Sequence, residues 1–281
     1  MAPGSVALPP MKPEPQSLLP AVLDTARAAG RAILAVYGSD FAIETKDDRS
    51  PLTAADRAAH DVIQRELEAL TPGVPVWSEE SAGIPPGERA GWTRFWLVDP
   101  LDGTKEFIKR NGEFTVNIAL VEGTQPVLGV VHVPVQGRDY FGARGHGSWR
   151  QDRDGSALPI RVRRPAAAVP RVVGSRSHGG DSLTAFLAAL GAHELVSMGS
   201  SLKFCLVATG EADLYPRLGP TSAWDTAAAQ AVVEAAGGAV TDLDGKPLRY
   251  NQGSAVLNPH FLVYGDPERD WHRYLPDAAG R

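Results

Sequence analysis

Apolar residues recur every three or four positions over 17–37, and this spacing predicts a long amphipathic helix. A second helix is predicted over 53–70, where the same spacing ends at a Pro-Gly pair. Thr53 and Asp56 form a Thr-x-x-Asp pair that is typical of a helix start, so capping is one interpretation of Asp56. The folded part of the chain is therefore expected to open with two helices.

After residue 73 the pattern changes to short apolar runs and alternating runs, which predict strands. Short apolar runs lie at 74–77 and 95–98, and alternation begins with FTVNIALV at 114–121. Because the alternation continues with glycines between the runs, we expect an antiparallel β-meander. The stretch 142–160 is rich in Gly, Asp and Arg and predicts loops.

Strands and helices alternate in the second half of the chain. The predicted order is a strand at 171–175, a helix at 181–190, a strand at 195–198, a helix that Ser200 caps and Gly210 ends, a strand at 212–217, and an Ala-rich helix that stops at Gly237 and Gly238. Asp225 falls in the first turn of that last helix, where its charge complements the helix dipole. This alternation is typical of an α/β architecture.

A Pro- and Arg-rich stretch near residue 165 separates the two patterns. We therefore expect one domain built from two subdomains, an α+β part at 16–165 and an α/β part at 166–275. Residues 1–15 are Pro-rich and lack the apolar segment of a secretory signal, which predicts a disordered tail.

Composition excludes several functional classes. With 281 residues, of which 43% are hydrophobic and 22% charged, the chain can bury a sizeable core. A net charge of −5 argues against nucleic acid as a partner. The single cysteine, Cys205, rules out an intrachain disulfide and indicates a reducing compartment, so we expect a cytoplasmic protein. No apolar run is long enough to span a membrane, which leaves peripheral membrane contact open.

Acidic residues follow two of the predicted strands. The strand at 95–98 leads into Asp99 and Asp102, and the strand at 74–77 leads into Glu79 and a second glutamate. Each pair has a simpler interpretation, because Asp-x-x-Asp-Gly is a common turn and adjacent glutamates are often solvated. If the two strands are neighbours in a sheet, however, the four acids meet in one cluster.

Carboxylates crowded in a protein interior need a cation to remain ionised together. Few basic residues flank these acids, and the chain has no Cys/His spacing typical of zinc. Mg²⁺ with oxygen ligands is therefore the simplest partner. Asp225 becomes a further ligand if its helix points at the cluster, in which case the free N–H groups of that helix can receive a phosphate.

Three motifs in this order carry a family resemblance: EES at 79–81, WLVDPLDGTKEF at 96–107 and WDTAA at 224–228. Together they resemble the inositol monophosphatase superfamily of metal-dependent, lithium-sensitive phosphatases, over nearly all of residues 16–270. The runs KDDRSPLTAAD, GSRSH and GSSLKFCLVATGEADLYPRLGPT resemble one branch, the 3′(2′),5′-bisphosphate nucleotidases. The resemblance implies a layered α-β-α-β-α sandwich, an α/β (α+β) fold.

The resemblance also implies metal ligands. Glu79, Asp99 and the Leu101 carbonyl would hold a first Mg²⁺ ion. Asp99, Asp102 and Asp225 would hold a second. A third, weaker ion is seen in parts of the family.

Hydrolysis of a phosphate monoester needs a strong nucleophile and neutralisation of the phosphoryl oxygens, which two metal ions can supply. By resemblance, Glu79 and Thr104 would orient a water for in-line attack, and Asp56 would accept a hydrogen bond from Thr104. The Gly103 and Thr104 amides would touch the scissile phosphate. The residues expected to contact substrate are Glu79, Leu101, Asp102, Gly103, Thr104, Ser175, His178, Ser200, Lys203, Arg217 and Asp225.

Substrate choice must come from residues outside the shared metal site. By resemblance, the candidate contacts are Ser175, Arg176, His178, Ser200, Lys203 and Arg217. A helix cap is the plainer interpretation of Ser200, and surface charge is that of Lys203 and Arg217. A lone histidine such as His178 is more often structural than a contact.

We therefore expect a Mg²⁺-dependent nucleotidase that converts adenosine 3′,5′-bisphosphate to AMP and phosphate and also accepts 3′-phosphoadenylyl sulfate. The family role implied is clearance of that nucleotide in sulfate assimilation. The alternatives are an inositol monophosphatase or sugar bisphosphatase of the same superfamily and, in a different class, a nucleotide-binding regulator without turnover. The expected partner is the small nucleotide, with the protein as a monomer or homodimer.

Overall fold

The computed structural model describes residues 13–39, 51–81, 83–153, 155–175 and 180–275. Its helices are α1 (Pro15–Tyr37), α2 (Pro51–Leu70), α3 (Pro86–Arg89), α4 (Thr104–Ile108), α5 (Asp181–Leu190), α6 (Leu202–Ala208) and α7 (Ala227–Ala235). Its strands are β1 (Val76–Ser78), β2 (Arg94–Asp102), β3 (Thr115–Glu122), β4 (Gln125–Val133), β5 (Arg138–Ala143), β6 (Gly147–Gln151), β7 (Leu158–Ile160), β8 (Arg171–Ser175), β9 (Glu194–Met198), β10 (Leu214–Arg217), β11 (Ala239–Asp242) and β12 (Phe261–Tyr264). Short 3-10 turns lie at Glu79–Ser81 and His272–Tyr274.

Two sheets organise these elements. Strands β1 to β7 form the first sheet in sequence order, and the second has the order β11-β12-β10-β8-β9. The first sheet is antiparallel except that β1 runs parallel to β2. In the second sheet β8 runs parallel to β9 and β10, while β12 is antiparallel to β10 and β11. The predicted β-meander is confirmed as β3, β4 and β5.

Helices and sheets stack in alternating layers. Helices α1 and α2 cover the outer face of the first sheet, α6 and α7 lie between the two sheets, and α5 covers the outer face of the second. Buried apolar side chains form three clusters, one between each outer helix layer and its sheet, and one around the middle helix layer that reaches both sheets. Cys205 belongs to the middle cluster, where burial raises the pKa of its thiol. The predicted α-β-α-β-α sandwich is confirmed.

Several predicted elements differ from those of the structure. Helix α2 begins by Pro51, so Thr53 lies inside it and Asp56 lies beyond its first turn, where it cannot act as a cap. Helix α6 follows Ser201, and Ser200 has a φ of +50° outside the helix, so Ser200 is not its cap. The stretch predicted as loops forms β6 and β7, two strands near the sheet edge whose partly exposed polar side chains weaken the alternation.

Gly129 of β4 marks a close approach between the first sheet and the middle layer. A Cβ at position 129 would lie 2.0 Å from the Ala228 carbonyl oxygen and 2.9 Å from the Ala231 Cβ. Because the Ala228 oxygen belongs to the α7 backbone, no rotamer change can relieve the clash.

We expect Gly129→Ala to lower the free energy of unfolding by about 2–3 kcal/mol, the cost of overpacking a core. Chemical denaturation measures this change. Gly91→Ala is the control, because a Cβ at position 91 meets no atom within 4 Å. Equal stability of the two variants would contradict the close packing.

Some predictions fall outside the described residues. Of the disordered tail predicted for residues 1–15, residues 1–12 lie outside the described part of the chain. Pro15 already belongs to α1. The first sheet ends at Ile160 and the second begins at Arg171, while the division into two subdomains near residue 165 stays a prediction. Among the helices of the described segments, none has the length and apolar character needed to cross a bilayer.

Candidate active site

Parallel strands β1 and β2 bring acidic residues to one edge of the first sheet. Ser78 pairs with Val98, so the next residues, Glu79 and Asp99, follow at the same level. The sequence analysis left open whether the two acid-bearing strands are neighbours, and the structure shows that they are. Their parallel direction is what makes both ends meet at one edge.

A β-bulge turns both aspartates of β2 to the same face. Asp99 lies opposite Asn117 and Asp102 opposite Thr115, with one more residue on β2 than on β3 between these pairs. Without the extra residue, side chains three positions apart would point to opposite faces of the sheet. The prediction that the strand ends at Val98 was wrong, because pairing with β3 continues to Asp102.

A cavity of about 280 Å³ lies where β2, α6, β10 and the segment before α7 meet. The predicted site residues that line it are Glu79, Asp99, Leu101, Asp102, Gly103, Thr104, Ser200, Lys203, Arg217 and Asp225. The structure thus brings together residues from both halves of the chain. Ser201, Tyr215 and Thr221 also line the cavity, although the sequence did not indicate them.

Burial and mutual repulsion raise the pKa values of three acids in this cavity, Asp99, Asp225 and Glu79. Asp99 is 1% exposed, and burial, followed by the charges of Asp102 and Glu79, raises its pKa well above the ordinary range. Burial and then Asp102 raise the pKa of Asp225 to about 7. Glu79 reaches solvent, yet burial of its carboxyl group on the cavity side, together with Asp102, raises its pKa as well. These acids can all be ionised only beside a cation.

One carboxylate oxygen of Asp102 is held by a set of hydrogen-bond donors. Asp102 Oδ2 accepts from the Ser200 hydroxyl at 2.5 Å and from the Ser201 amide and hydroxyl at 2.7 and 2.8 Å. Asn117 Nδ2 donates to the Ser201 hydroxyl at 3.0 Å, and Thr115 Oγ1 lies 2.6 Å from the Ser200 hydroxyl. The carboxylate is therefore fixed through Oδ2.

The sequence analysis missed Thr115, Asn117 and Ser201. A signal was present, because Thr115 and Asn117 are polar residues two positions apart in a strand that is buried on both faces. Buried polar side chains require hydrogen-bond partners, so they indicate a polar site next to that strand. Ser201 offered only its place beside Ser200.

The end of β2 and the turn after it are shaped by a hydrogen bond from a backbone amide to a carboxylate and by a glycine. The Leu101 amide donates to Asp99 Oδ1 at 3.0 Å, which fixes the Asp99 carboxylate from within the bulge. Gly103 has a φ of +101°, and a Cβ there would lie 3.2 Å from the Phe114 Cα and 3.3 Å from the Ser200 Cβ. Only glycine combines that backbone conformation with so little space.

Asp225 lies just before α7 rather than in its first turn, because the helix begins at Ala227 after Thr226. The prediction of its helical position was therefore wrong. The Ser222 amide donates to Asp225 Oδ2 at 2.9 Å, and the Ser201 hydroxyl lies 2.8 Å from the Asp225 carbonyl oxygen. These contacts connect the segment before α7 to the donors around Asp102.

Asp56 lies on α2 and does not line the cavity. Helix α2 packs against α4, the helix that Thr104 begins. Burial, followed by the charges of Glu80 and Glu79, raises the pKa of Asp56 to about 8. Among the described residues, Asp56 and Thr104 form no hydrogen bond with each other. The expected interaction between them stays a prediction.

Lys203 and Arg217 share the cavity with the acids, as does Lys105. Lys203 is 7% exposed, its Nζ donates to the Ser200 carbonyl at 2.5 Å, and burial lowers its pKa to about 8. Arg217 donates from Nη2 to the Pro220 carbonyl at 2.5 Å, and its buried Nε makes no hydrogen bond in the described structure. The interpretation of Lys203 as an ordinary surface charge was wrong.

The GSRSH motif contributes little that can be described. Ser175 ends β8, but its side chain and residues 176–179 lie outside the described part of the chain. The predicted contacts of Ser175, Arg176 and His178 with substrate therefore stay predictions.

The donors at the acidic part of the cavity suit Mg²⁺, since carboxylate and carbonyl oxygens are its preferred ligands. No three Asp, Glu, His or Cys side chains of the described segments are already arranged around one metal position. The hydrogen bonds that hold Asp102 Oδ2 engage one of the oxygens expected in such a site. The metal roles of these residues stay predictions.

Comparison with known proteins identifies the family of the chain. A profile described as the inositol monophosphatase family matches residues 14–273. The chain is 54% identical to the protein named 3′(2′),5′-bisphosphate nucleotidase CysQ of Salmonella typhimurium strain LT2, over 88% of this chain and 99% of that protein. Identity and coverage are the same for the protein of that name from Escherichia coli strain K12.

A solved structure is also similar along the whole fold. The crystal structure of CysQ from Bacteroides thetaiotaomicron, a bacterial member of the inositol monophosphatase family, matches with a TM-score of 0.81 and 43% identity. The match covers 91% of this chain and 98% of that one. Members of the family are metal-dependent phosphatases that generally use Mg²⁺. The chain therefore belongs to the inositol monophosphatase family, in its CysQ branch.

Proposed function

We propose that this protein is a Mg²⁺-dependent 3′(2′),5′-bisphosphate nucleotidase, a phosphoric monoester hydrolase that converts adenosine 3′,5′-bisphosphate to AMP and inorganic phosphate. Relatives that share 54% identity and bear this activity in their names support the proposal. 3′-Phosphoadenylyl sulfate, which carries the same 3′-phosphate, is the second substrate proposed.

The observation that carries the proposal is the pair of cations beside the acid cluster. Lys203 Nζ has no carboxylate oxygen within 4.0 Å in the described part of the chain, and the buried Arg217 Nε is unbonded there. Cations that feel the nearby acids only at a distance, and that have N–H groups not paired with a carboxylate, favour an anionic ligand. A ligand with two separate phosphates can satisfy both the metal side and the cation side of one cavity, whereas inositol 1-phosphate has a single phosphate.

Two Mg²⁺ ions, and a third of lower affinity, are proposed at the acidic side. The proposed ligands are Glu79, Asp99, the Leu101 carbonyl, Asp102 and Asp225. Bound Mg²⁺ supplies neutralisation of the phosphoryl oxygens and lowers the pKa of a water molecule.

The side chains of this protein then orient the reactants. Glu79 and the Thr104 hydroxyl hold the attacking water, and Asp56 positions Thr104. The water oxygen forms the new bond to phosphorus and gives up one proton to solvent. The bond from phosphorus to the ribose 3′ oxygen breaks, and that oxygen takes a proton from solvent. Gly103 and the Thr104 amide approach the transferred phosphate closely because position 103 has no side chain.

The proposed function is tested by comparing kcat/KM for adenosine 3′,5′-bisphosphate and inositol 1-phosphate in Mg²⁺. We expect a preference of about a hundredfold for the nucleotide, the value of two charge-assisted hydrogen bonds to the second phosphate. A preference for inositol 1-phosphate would identify an inositol phosphatase instead. Absence of turnover on every phosphomonoester would support the nucleotide-binding regulator.

Lys203→Ala is expected to raise KM for adenosine 3′,5′-bisphosphate by about thirtyfold, since a hydrogen bond to a charged group contributes about 1.5–3 kcal/mol. KM for adenosine 3′-monophosphate should change much less, because that substrate lacks the 5′-phosphate. Lys246→Ala, at an exposed lysine, is the control. An equal rise in KM for both substrates would refute the role of Lys203 in recognising the second phosphate.

Ser201→Ala is expected to weaken Mg²⁺ binding by about tenfold, the lower range for loss of a group that orients a metal ligand. The variant removes one donor to Asp102 Oδ2 and the contact with the Asp225 carbonyl. Calorimetric titration with Mg²⁺ measures the change. Ser148→Ala removes an equally buried hydroxyl whose bond goes to the Phe141 carbonyl, and it should bind Mg²⁺ as the unmodified protein does.

A further inference from the structure

A second cavity, of about 370 Å³, lies on the outer face of the first sheet between α1 and the β4–β5 hairpin. Val131 and Val133 of β4 belong to the core between the two sheets. His132, which lies between them and lines the second cavity, therefore points to the opposite face, towards α1. This cavity and the catalytic cavity share no lining residue.

Three arginines and one carboxylate line this second cavity: Arg27, Arg31, Arg153 and Asp139. Asp139 is 1% exposed and is fully engaged. Its Oδ2 accepts from Arg27 Nε at 2.9 Å and from Arg27 Nη2 at 2.6 Å, and its Oδ1 accepts from His132 Nδ1 at 2.7 Å. The one acid of the cavity therefore neutralises Arg27 and leaves the other two arginines uncompensated.

Arg31 and Arg153 have no carboxylate oxygen within 4.0 Å in the described part of the chain. Arg153 is directed over the hairpin, because a Cβ at position 137 would lie 2.6 Å from its Nε. Gly137, with a φ of +61°, leaves that space open. The cavity thus holds a local excess of positive charge in a protein whose net charge is −5.

The floor of the cavity is small and apolar. Leu34 and Pro134 line it. Gly30 leaves room for the His132 ring, because a Cβ at position 30 would lie 2.5 Å from His132 Nε2. The volume is within the range of small-molecule sites. Guanidinium groups bind phosphate through paired hydrogen bonds, and an arginine fixed by a carboxylate presents its remaining N–H donors in a fixed geometry.

We infer that this cavity binds the phosphate group of a small molecule at a site separate from the catalytic centre. The arginines Arg31 and Arg153 supply the charge that is free to pair with the phosphate. Because no acid cluster lines this cavity, binding there does not require Mg²⁺. The inference goes beyond the proposed function and does not depend on it.

The experiment is a titration of the full-length protein with inorganic phosphate, followed by the backbone amide resonances of Gly30 and Gly137. We expect saturable shifts of both resonances, with the same affinity in Mg²⁺ and in excess EDTA. In Arg31→Gln/Arg153→Gln the affinity should fall by about tenfold for each arginine lost, which corresponds to about 1.4 kcal/mol per step. Arg65→Gln, at an exposed arginine of α2 paired with Glu66, should leave the titration unchanged.

Other outcomes would overturn the inference. Shifts confined to residues around Gly103 and Ser200 would assign all phosphate binding to the catalytic cavity. Equal titration curves for the double variant and for Arg65→Gln would remove the arginines from the site. Nucleotidase activity is assayed on the same samples, so that loss of the proposed function is seen separately.

A parallel titration with AMP distinguishes the source of the phosphate. Tighter binding of AMP than of inorganic phosphate, again lost in the double variant, supports a phosphorylated organic ligand that uses the floor of Leu34 and Pro134. Equal affinities support recognition of the phosphate group alone.

Discussion

We expect Asp99→Asn to lower kcat for adenosine 3′,5′-bisphosphate by about a thousandfold, the upper range for loss of one group that stabilises the transition state electrostatically. Asp99 is the most deeply buried acid of the cavity, and the charges of Asp102, Glu79 and Asp225 all contribute to its raised pKa. A single carboxylate in this position can serve both proposed metal ions. The substitution keeps the shape of the side chain and removes its charge.

The same substitution should leave the fold intact. In EDTA the Tm of Asp99→Asn should equal or exceed that of the unmodified protein, because one of several repelling carboxylates is gone. The stabilisation gained on adding Mg²⁺ should shrink. Asp61→Asn, at an exposed position of α2, is the matched control and should change neither quantity. Activity above a tenth of the original would refute the shared-ligand assignment.

Removal of Mg²⁺ is expected to abolish turnover and to make stability depend strongly on pH. Burial, followed by nearby glutamates, raises the pKa of Asp56 from 3.8 to about 8, and burial with Asp102 raises that of Asp225 from 3.8 to about 7. A carboxyl group whose pKa is higher in the folded state binds more protons when folded. Asp56 and Asp225 therefore stabilise the fold most at a pH below the pKa that they have in the unfolded chain. This stabilisation is lost as pH rises through the pKa that they have in the folded protein.

Thermal unfolding between about pH 5 and pH 9 measures this dependence, since that range spans the folded pKa values and linkage predicts the slope there. In EDTA the Tm should fall as pH rises. Added Mg²⁺ should raise Tm more at the alkaline end, because protons no longer compete for the carboxylates. A metal-free Tm that does not change with pH, or an equal effect of Mg²⁺ at both ends, would contradict the proposed cluster.

Much of the architecture was predictable from local pattern. The spacing of apolar residues over 17–37 and 181–190 identified helices that the structure contains. The alternation of apolar and polar residues after residue 114 identified the meander. Apolar strands that lead into acids indicated that Glu79 and Asp99 would meet if the two strands were neighbours, and β1 does lie beside β2. These features depend on residues near in sequence, so one sequence suffices to predict them.

The remaining details depend on contacts between distant segments. The bulge in β2 depends on its pairing with β3. The pattern of apolar and polar residues within β2 does not show that pairing. Ser200 looked like a helix cap, but its hydroxyl donates to Asp102, nearly a hundred positions away in the chain. Lys203 looked like a surface charge because its burial depends on the packing of α6 between the sheets. Local propensity does not encode such long-range partners.

The two halves of the molecule do not contribute equally to the charge of the catalytic cavity. Of the charged residues that line it, four acids and one lysine precede the end of the first sheet, namely Glu79, Asp99, Asp102, Glu106 and Lys105. The later half brings one acid and two cations, Asp225, Lys203 and Arg217. A ribosome that releases the chain from its N-terminal end first would thus deliver an acidic patch before the basic side chains that balance it. Divalent cations in solution would therefore be the first ligands of the nascent chain, before it could bind a nucleotide.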